Sequence, residues 1–181
     1  MKKTILFLSF VAVTGSLFAQ KKTTTSAIVA FDATTSIDNL PKAENKTVIA
    51  ALDTKTGAVQ FEAAVKNFDF SNPRIQDHFN GANWMNSDEF PKFSFKGNIV
   101  DLSKVNFSKD GAYAVDVSGD LTVKDITKPI TTSGTIEIKG GVVNTSTEFS
   151  ITLADYGITG APITAGKVAK EPRITVSAEL K

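Results

Sequence analysis

The chain contains no cysteine and a single histidine, His78, among 181 residues. Without thiols it has no disulfide framework, no thiolate metal site, no thiol nucleophile and no cysteine for a lipid anchor. One imidazole excludes a multi-histidine metal cluster. An excess of charge of either sign is missing too. The 20 Lys+Arg face 19 Asp+Glu, which gives neither the basic field that nucleic acid selects nor an acidic tail. Long apolar runs are scarce: the one candidate, near the N-terminus, is shorter than the roughly 20 residues that cross a bilayer. What remains is a chain of one-domain size, 41% hydrophobic, with the composition of a globular protein.

The first nineteen residues read as an export signal. Lys2 and Lys3 form a positive start, residues 4–13 are mostly apolar, and small or moderate residues lead to Ala19-Gln20. Cleavage after Ala19 leaves residues 20–181 as the mature domain and, with two lysines gone, moves the formal charge from +1 to −1. The expected product is periplasmic or secreted, with no integral membrane segment. Lacking disulfides, it must be held by its core, and a domain of this size buries roughly 68–70% of its unfolded surface.

The remainder alternates apolar and polar residues with period two, the pattern of strands with one buried face. Lys92-Phe93-Ser94-Phe95-Lys96-Gly97-Asn98-Ile99 is the cleanest run. Others are Val59/Phe61/Ala63/Val65, Tyr113/Val115/Val117/Gly119/Leu121/Val123 and Ile130/Thr132/Gly134/Ile136/Ile138. Thr147/Phe149/Ile151/Leu153 and Ile174/Val176/Ala178/Leu180 follow, and residues 27–31 and 47–52 fit two earlier strands. Turn chemistry separates them: residues 53–57 end on Gly57, while Asp110-Gly111 and Gly140-Gly141 are two-residue hairpin signals. About eight strands with short connections predict one all-β domain, a single antiparallel, roughly eight-stranded barrel.

Residues 67–91 break the alternation. Asn72-Pro73 is a helix cap followed by proline at the first helical position, Ile75, His78 and Phe79 share a helical face, and Asn80-Gly81 stops the turn. Ser87-Asp88-Glu89 can cap a second short turn. One or two small helices are therefore expected between strands three and four, either as a plug or as a lid. Trp84, Met85 and Phe90 add apolar weight to this stretch.

Nothing local argues for catalysis. Adjacent Asp77 and His78 point in different directions on a helix, and a lone His is expected to bond neighbouring backbone. Asp88 and Glu89 suit a helix start, where the macrodipole favours acids. No nucleophile elbow, phosphate loop, dinucleotide glycine pattern or calcium loop is present. The Asn-x-Ser/Thr triplets at Asn45, Asn106 and Asn144 are compatible with a surface position. The expectation is a non-enzyme without cofactor. The buried face pairs bulky residues with small ones, Phe61 with Ala63, Phe95 with Gly97 and Ile136 with Gly134. An eight-stranded barrel either fills with side chains or holds one slender ligand. The small residues fit both readings, since they leave room or allow tight packing and strand bending.

Three stretches, in order, resemble the YceI-like family. Arg74-Ile75-Gln76-Asp77-His78-Phe79-Asn80 leads to Met85-Asn86-Ser87-Asp88-Glu89-Phe90-Pro91-Lys92-Phe93-Ser94-Phe95. Gly119-Asp120-Leu121-Thr122-Val123-Lys124-Asp125-Ile126-Thr127-Lys128-Pro129 is similar to the family's strand and turn, and Ala154-Asp155-Tyr156-Gly157-Ile158 to its C-terminal motif. Two positions depart: Asp125 stands where the family usually has Gly, and Leu153 where it often has Arg. The resemblance implies an exported, lipocalin-like barrel that is not an enzyme and holds a polyisoprenoid-type lipid, an apolar partner. No nucleic acid is implied, and a homodimer stays open. From the alternation, such a ligand would be lined by Phe61, Val65, Phe93, Phe95, Val115, Val117, Ile136, Phe149 and Ile151, with Trp84, Met85 and Phe90 at the entry. The other reading is an envelope structural or interaction module with a filled core.

Overall fold

Period-two alternation resolves into nine strands, all paired antiparallel. A computed structural model describes residues 21–181. The strands are β1 (Lys21–Asp32), β2 (Lys42–Asp53), β3 (Ala58–Ala64), β4 (Asp69–Phe70), β5 (Lys92–Ile99), β6 (Gly111–Val123), β7 (Ile126–Lys139), β8 (Val142–Ser150) and β9 (Arg173–Leu180). Neighbours run β1-β9-β8-β7-β6-β5-β3-β2, and β1 returns to β2, so eight strands close a barrel. The two residues of β4 add an extra strand outside the circle, on Ala43 and Glu44 of β2. Closure leaves the long strands no free outer edge, which removes the usual route to edge-to-edge aggregation. Two register shifts in β1 around Ala27 let it serve both neighbours. Across the β1–β9 seam, Arg173 Nη2 meets Asp32 Oδ2 at 3.1 Å.

Turn residues fix the two ends. Gly140 and Gly141, with φ of 57° and 80°, form the two-residue β7–β8 hairpin, a primed turn that only positive φ permits. Lys124 and Asp125 make the same kind of turn between β6 and β7, with φ of 50° and 60°, and there neither residue is glycine. Asp110-Gly111, expected as a hairpin, is instead the end of a longer loop. Asp101 caps a short 3-10 turn at Leu102–Lys104, and Gly111 opens β6. One barrel end thus carries residues 54–57, 100–110 and 140–141. The other carries the longer loops 33–41, 65–91 and 151–172.

Between the third and fourth barrel strands lies α1 (Pro73–Asn80). Asn72 Oδ1 accepts from the Arg74 amide at 3.0 Å and Pro73 takes the first turn, so the cap forms where the sequence predicts it. The second helix expected at residues 87–89 is a set of turns. Late in the chain, α2 (Ala161–Thr164) adds one more helical turn. Phe79 is the buried residue of α1 and the centre of an aromatic cluster, with ring centroids 4.9 Å from Phe70, 5.9 Å from Phe68 and 6.3 Å from Phe31. This cluster covers the long-loop end of the barrel.

Two glycines explain how the wall bends. Gly97 of β5 and Gly119 of β6 are register partners. A Cβ on Gly97 would lie 2.4 Å from the Ser118 carbonyl, 2.7 Å from Phe95 Cζ and 2.8 Å from Gly119 Cα. The tip of the Phe95 ring therefore occupies the space left over the bare backbone of both glycines. The small residue beside Phe95 is used for close approach, and the ring takes the space it frees.

The β2–β3 ladder spans only Ile49–Leu52 against Val59–Glu62. Beyond it a side chain replaces the missing rungs. Asn45, fully buried, donates from Nδ2 to the Ala64 carbonyl at 2.9 Å and accepts at Oδ1 from the amide and hydroxyl of Thr47, both 2.9 Å. Asn45 is thus not on the surface, contrary to the reading of its triplet.

Candidate functional site: an apolar cavity with a side opening

The inward residues of all eight barrel strands surround a cavity of about 180 Å³. On β1 these include Val29 and Phe31, on β2 Val48 and Leu52, on β3 Phe61 and Ala63, and on β5 Phe93 and Phe95. The far wall comes from Val115, Val117 and Leu121 of β6, Ile130 and Ile136 of β7, Thr147 and Phe149 of β8, and Ile174 and Val176 of β9. Phe68, Phe79, Met85, Leu153 and Ile158 close over it from the long loops. Along β6 the lining runs from Val115 to Val123, which at about 3.3 Å per residue and barrel tilt makes the slot on the order of 20 Å long. The interior is hollow, which disfavours the filled-core reading.

Chemically the wall is uniform. No Lys, Arg, Asp, Glu or His lines it; the polar residues of the wall are Ser94, Ser146, Thr132, Thr135, Thr145 and Thr147, of which Thr132, Thr145 and Thr147 stand at inward register positions. Two of those are already engaged: Thr132 and Thr147 Oγ1 lie 2.8 Å apart, and Thr147 Oγ1 donates to the Ser133 carbonyl at 2.8 Å. Leu153, at the position where the motif often carries Arg, is buried and faces this space. Such a wall takes hydrocarbon, since any ion placed against it would lose its hydration without a partner.

Of the residues singled out by alternation, Phe61, Phe93, Phe95, Val115, Val117, Ile136, Phe149 and Ile151 all meet at this cavity, and Val65 does not. β3 ends at Ala64, and Val65 begins a 3-10 turn whose rotation breaks the period-two facing; it is buried elsewhere, with its amide on the Pro91 carbonyl. At the expected entry Met85 reaches the cavity, whereas Trp84 and Phe90 stand outside the wall. Lys124 ties that stretch down: Nζ donates to the Trp84 carbonyl at 2.6 Å and sits 6.0 Å from the Phe90 ring centroid. Sequence reasoning missed the loop contributions of Phe68 and Ile158, which follow no strand period; Leu153, read as the end of an alternating strand, instead opens a 3-10 turn and still reaches the wall.

The backbone ladder of the wall is also interrupted between β7 and β8. β8 pairs with β7 only from Gly134 to Lys139; Thr132 and Ser133 meet it through the Thr147 hydroxyl, and residues 126–131 of β7 are bonded to β6 alone. At the point of divergence a Cβ on Gly134 would stand 2.7 Å from the Ser146 carbonyl, so the strands cross closely there and then part. Pro129 sits in the unpaired stretch, and proline, having no amide to donate, belongs on such an internal edge. Ile130, Thr132, Phe149 and Ile151 flank the gap and are half-buried, while Ile136, Val115 and Leu180 deeper in the barrel are 3%, 4% and 2% exposed. The stretch between β7 and the end of β8 is thus the candidate opening of the cavity.

Acid–base chemistry finds no assembly. His78 and Asp77 are both exposed, and the backbone hydrogen bond expected of the His78 side chain is absent. Asp88 pairs with Lys66, whose ammonium hydrogen bond holds the carboxyl below its usual range. Tyr156 is buried, which pushes its hydroxyl pKa up, and it lies outside the cavity wall. No group of three or more potential metal ligands occurs among the described residues. No helix among them is long and apolar enough to cross a membrane.

A family model described as a YceI-like domain matches residues 8–180. Among solved structures, a polyisoprenoid binding domain from Saccharophagus degradans, implicated in plant cell wall breakdown, superposes with a TM-score of 0.76 at 13% identity. That match covers 90% of this chain and 98% of the other. Burkholderia cenocepacia BcnA follows with a TM-score of 0.69 at 17% identity, covering 86% and 96%. A YCEI protein from Campylobacter jejuni has a TM-score of 0.53 at 14% identity, covering 100% and 91%. No curated protein matches.

Proposed function

The chain belongs to the YceI-like family, and from that premise we propose that it is an exported binding protein that sequesters or carries a polyisoprenoid-type lipid, such as an isoprenoid quinone, in its barrel. Residues 1–19, outside the described residues, are the signal peptide in this reading, and the mature domain acts in the periplasm or outside the cell without catalysing a reaction. The observation that carries the reading is the continuous, uncharged slot reached by all eight strands. A polyprenyl chain in water exposes apolar surface, and each CH₂ withdrawn from water returns about 0.8 kcal/mol. A slot with no charge and few free hydroxyls competes for such a chain without polar groups to desolvate. Support also comes from the Saccharophagus degradans domain of similar fold, which is described as polyisoprenoid binding.

The test is the lipid content of the native protein. Solvent extraction and mass spectrometry of protein purified from the cell envelope fraction should release an isoprenoid lipid. Val117→Trp, which places a large ring in the slot, should carry none while melting at or above the wild-type temperature. A protein that co-purifies with no lipid and takes up no added isoprenoid quinone would end the proposal.

A further inference from the structure

The inward register positions of β7 begin Ile126, Lys128, Ile130, Thr132, and one of these is charged. Lys128 pairs with Leu121 of β6, and partners in register share a face; Leu121 lines the cavity. Among the described residues two charged side chains stand at inward register positions on the eight barrel strands: Lys22, opposite Leu52, whose Nζ is engaged by the Gly141 carbonyl at 2.8 Å at the other end of the barrel, and Lys128. It is exposed and has no carboxylate partner. It also sits in the stretch of β7 that β8 does not cover, next to Pro129, at the rim of the candidate opening. The acid nearest it across the ladder, Asp120, pairs with Pro129 and so faces the opposite side of the sheet.

We propose that Lys128 is the head-group residue of this cavity: the apolar chain enters through the gap between β7 and β8, and its anionic end, a phosphate or carboxylate, stays at the rim on the Lys128 ammonium. This rests on the lipid-carrier reading and narrows it, because the uncharged wall rejects a buried ion while the rim offers one free cation in water. The neighbouring hydroxyls Thr132 and Thr147 are bonded to each other and to the strands, so they do not compete for the head group. Charge–charge attraction at an exposed rim is modest and falls with salt. It biases the choice among ligands with the same chain and leaves most of the affinity to the hydrocarbon.

The experiment compares two ligands of equal chain length, farnesol and farnesyl monophosphate, titrated into delipidated protein and followed by the fluorescence of Trp84. At low salt the phosphate should bind about five- to tenfold more tightly than the alcohol. Lys128→Gln should abolish that preference, leaving alcohol affinity and melting temperature unchanged, and 0.5 M salt should erase it in the wild type, the Debye length then being only about 4 Å. Inorganic phosphate at millimolar concentration should displace neither ligand. Equal affinities in the wild type, a preference that survives in Lys128→Gln, or displacement by inorganic phosphate would each overturn the assignment while leaving the carrier reading intact. If farnesol itself fails to bind, both fall together.

Discussion

Replacing Gly97 with alanine tests the claim that the barrel wall bends over bare backbone. The added methyl would start 2.4 Å from the Ser118 carbonyl and 2.8 Å from Gly119 Cα, where ordinary contact begins at 3.4 Å. Relief therefore needs a displacement of roughly 1 Å. Two of the three obstacles are main chain and cannot rotate away; the third is the Phe95 ring, at 2.7 Å. Overpacking of this kind costs about 1–3 kcal/mol, and the rigid backbone places Gly97→Ala at the upper end. Alanine recovers about 0.5–1 kcal/mol of chain entropy, leaving a net loss of about 2 kcal/mol. For a domain of this size that lowers the melting temperature by about 4–8 °C. Gly141→Ala is the matched control. Its Cβ meets nothing within 4 Å, so its cost, about 1 kcal/mol, comes only from the positive φ of 80°. Urea titration of both variants separates the two causes. Because the Phe95 ring must move into the slot, Gly97→Ala should also hold less lipid. A Gly97→Ala protein no less stable than Gly141→Ala would refute the close-approach explanation.

Other substitutions probe the seam and the strained turn. Asn45→Ala leaves the Ala64 carbonyl and the Thr47 amide without partners beside the short β2–β3 ladder and should cost about 2–3 kcal/mol by urea denaturation; a loss below 1 kcal/mol would mean that water or neighbouring backbone replaces it. Asp125→Gly removes a side chain from a φ of 60° and should raise the urea midpoint by the equivalent of about 0.5–1 kcal/mol, checked against an unchanged far-ultraviolet spectrum. Acid stability should follow four carboxylates held below their usual range: Asp32 by the hydroxyl and amide of Thr34 and by Arg173, Asp53 by the Thr56 and Lys55 amides, Asp88 by Lys66, and Asp101 by Ser103. A lowered folded-state pKa contributes stability that is complete above the unfolded value near 3.9 and is lost as pH falls through the folded one. The urea midpoint should therefore stay level from neutrality down to about pH 5 and drop below about pH 4. A midpoint that rises there would contradict the assignment.

The strand set, its antiparallel pairing and the direction of most side chains were legible in the sequence because a pleated strand has a period of two, and that period is local. Phe93, Phe95, Val115 and Ile136 could be assigned to one face from their own neighbours. The same rule misplaced Val65, where the strand turns into a 3-10 helix one residue early, and it had no purchase on Phe68 or Ile158, which reach the cavity from loops. Asp110-Gly111 carried a hairpin signal that a longer loop overrode, whereas Gly140-Gly141 kept it because nothing but the turn lies between β7 and β8. His78 had a helical context but no partner, since its side chain is exposed while Phe79, next to it on α1, takes the buried position.

What residues alone determined, then, is the class of fold, the family motifs and the apolar character of the inner face. Tertiary structure decided whether that face is filled. The space left by Gly97 is occupied by the Phe95 ring, and yet a slot persists because eight tilted strands enclose more width than their side chains span. It also decided where the wall is interrupted. Pro129 and Lys128 read as ordinary strand residues until the β7–β8 ladder is seen to stop at Gly134, because whether a backbone edge is covered depends on a strand far along the chain and on how sharply the two cross.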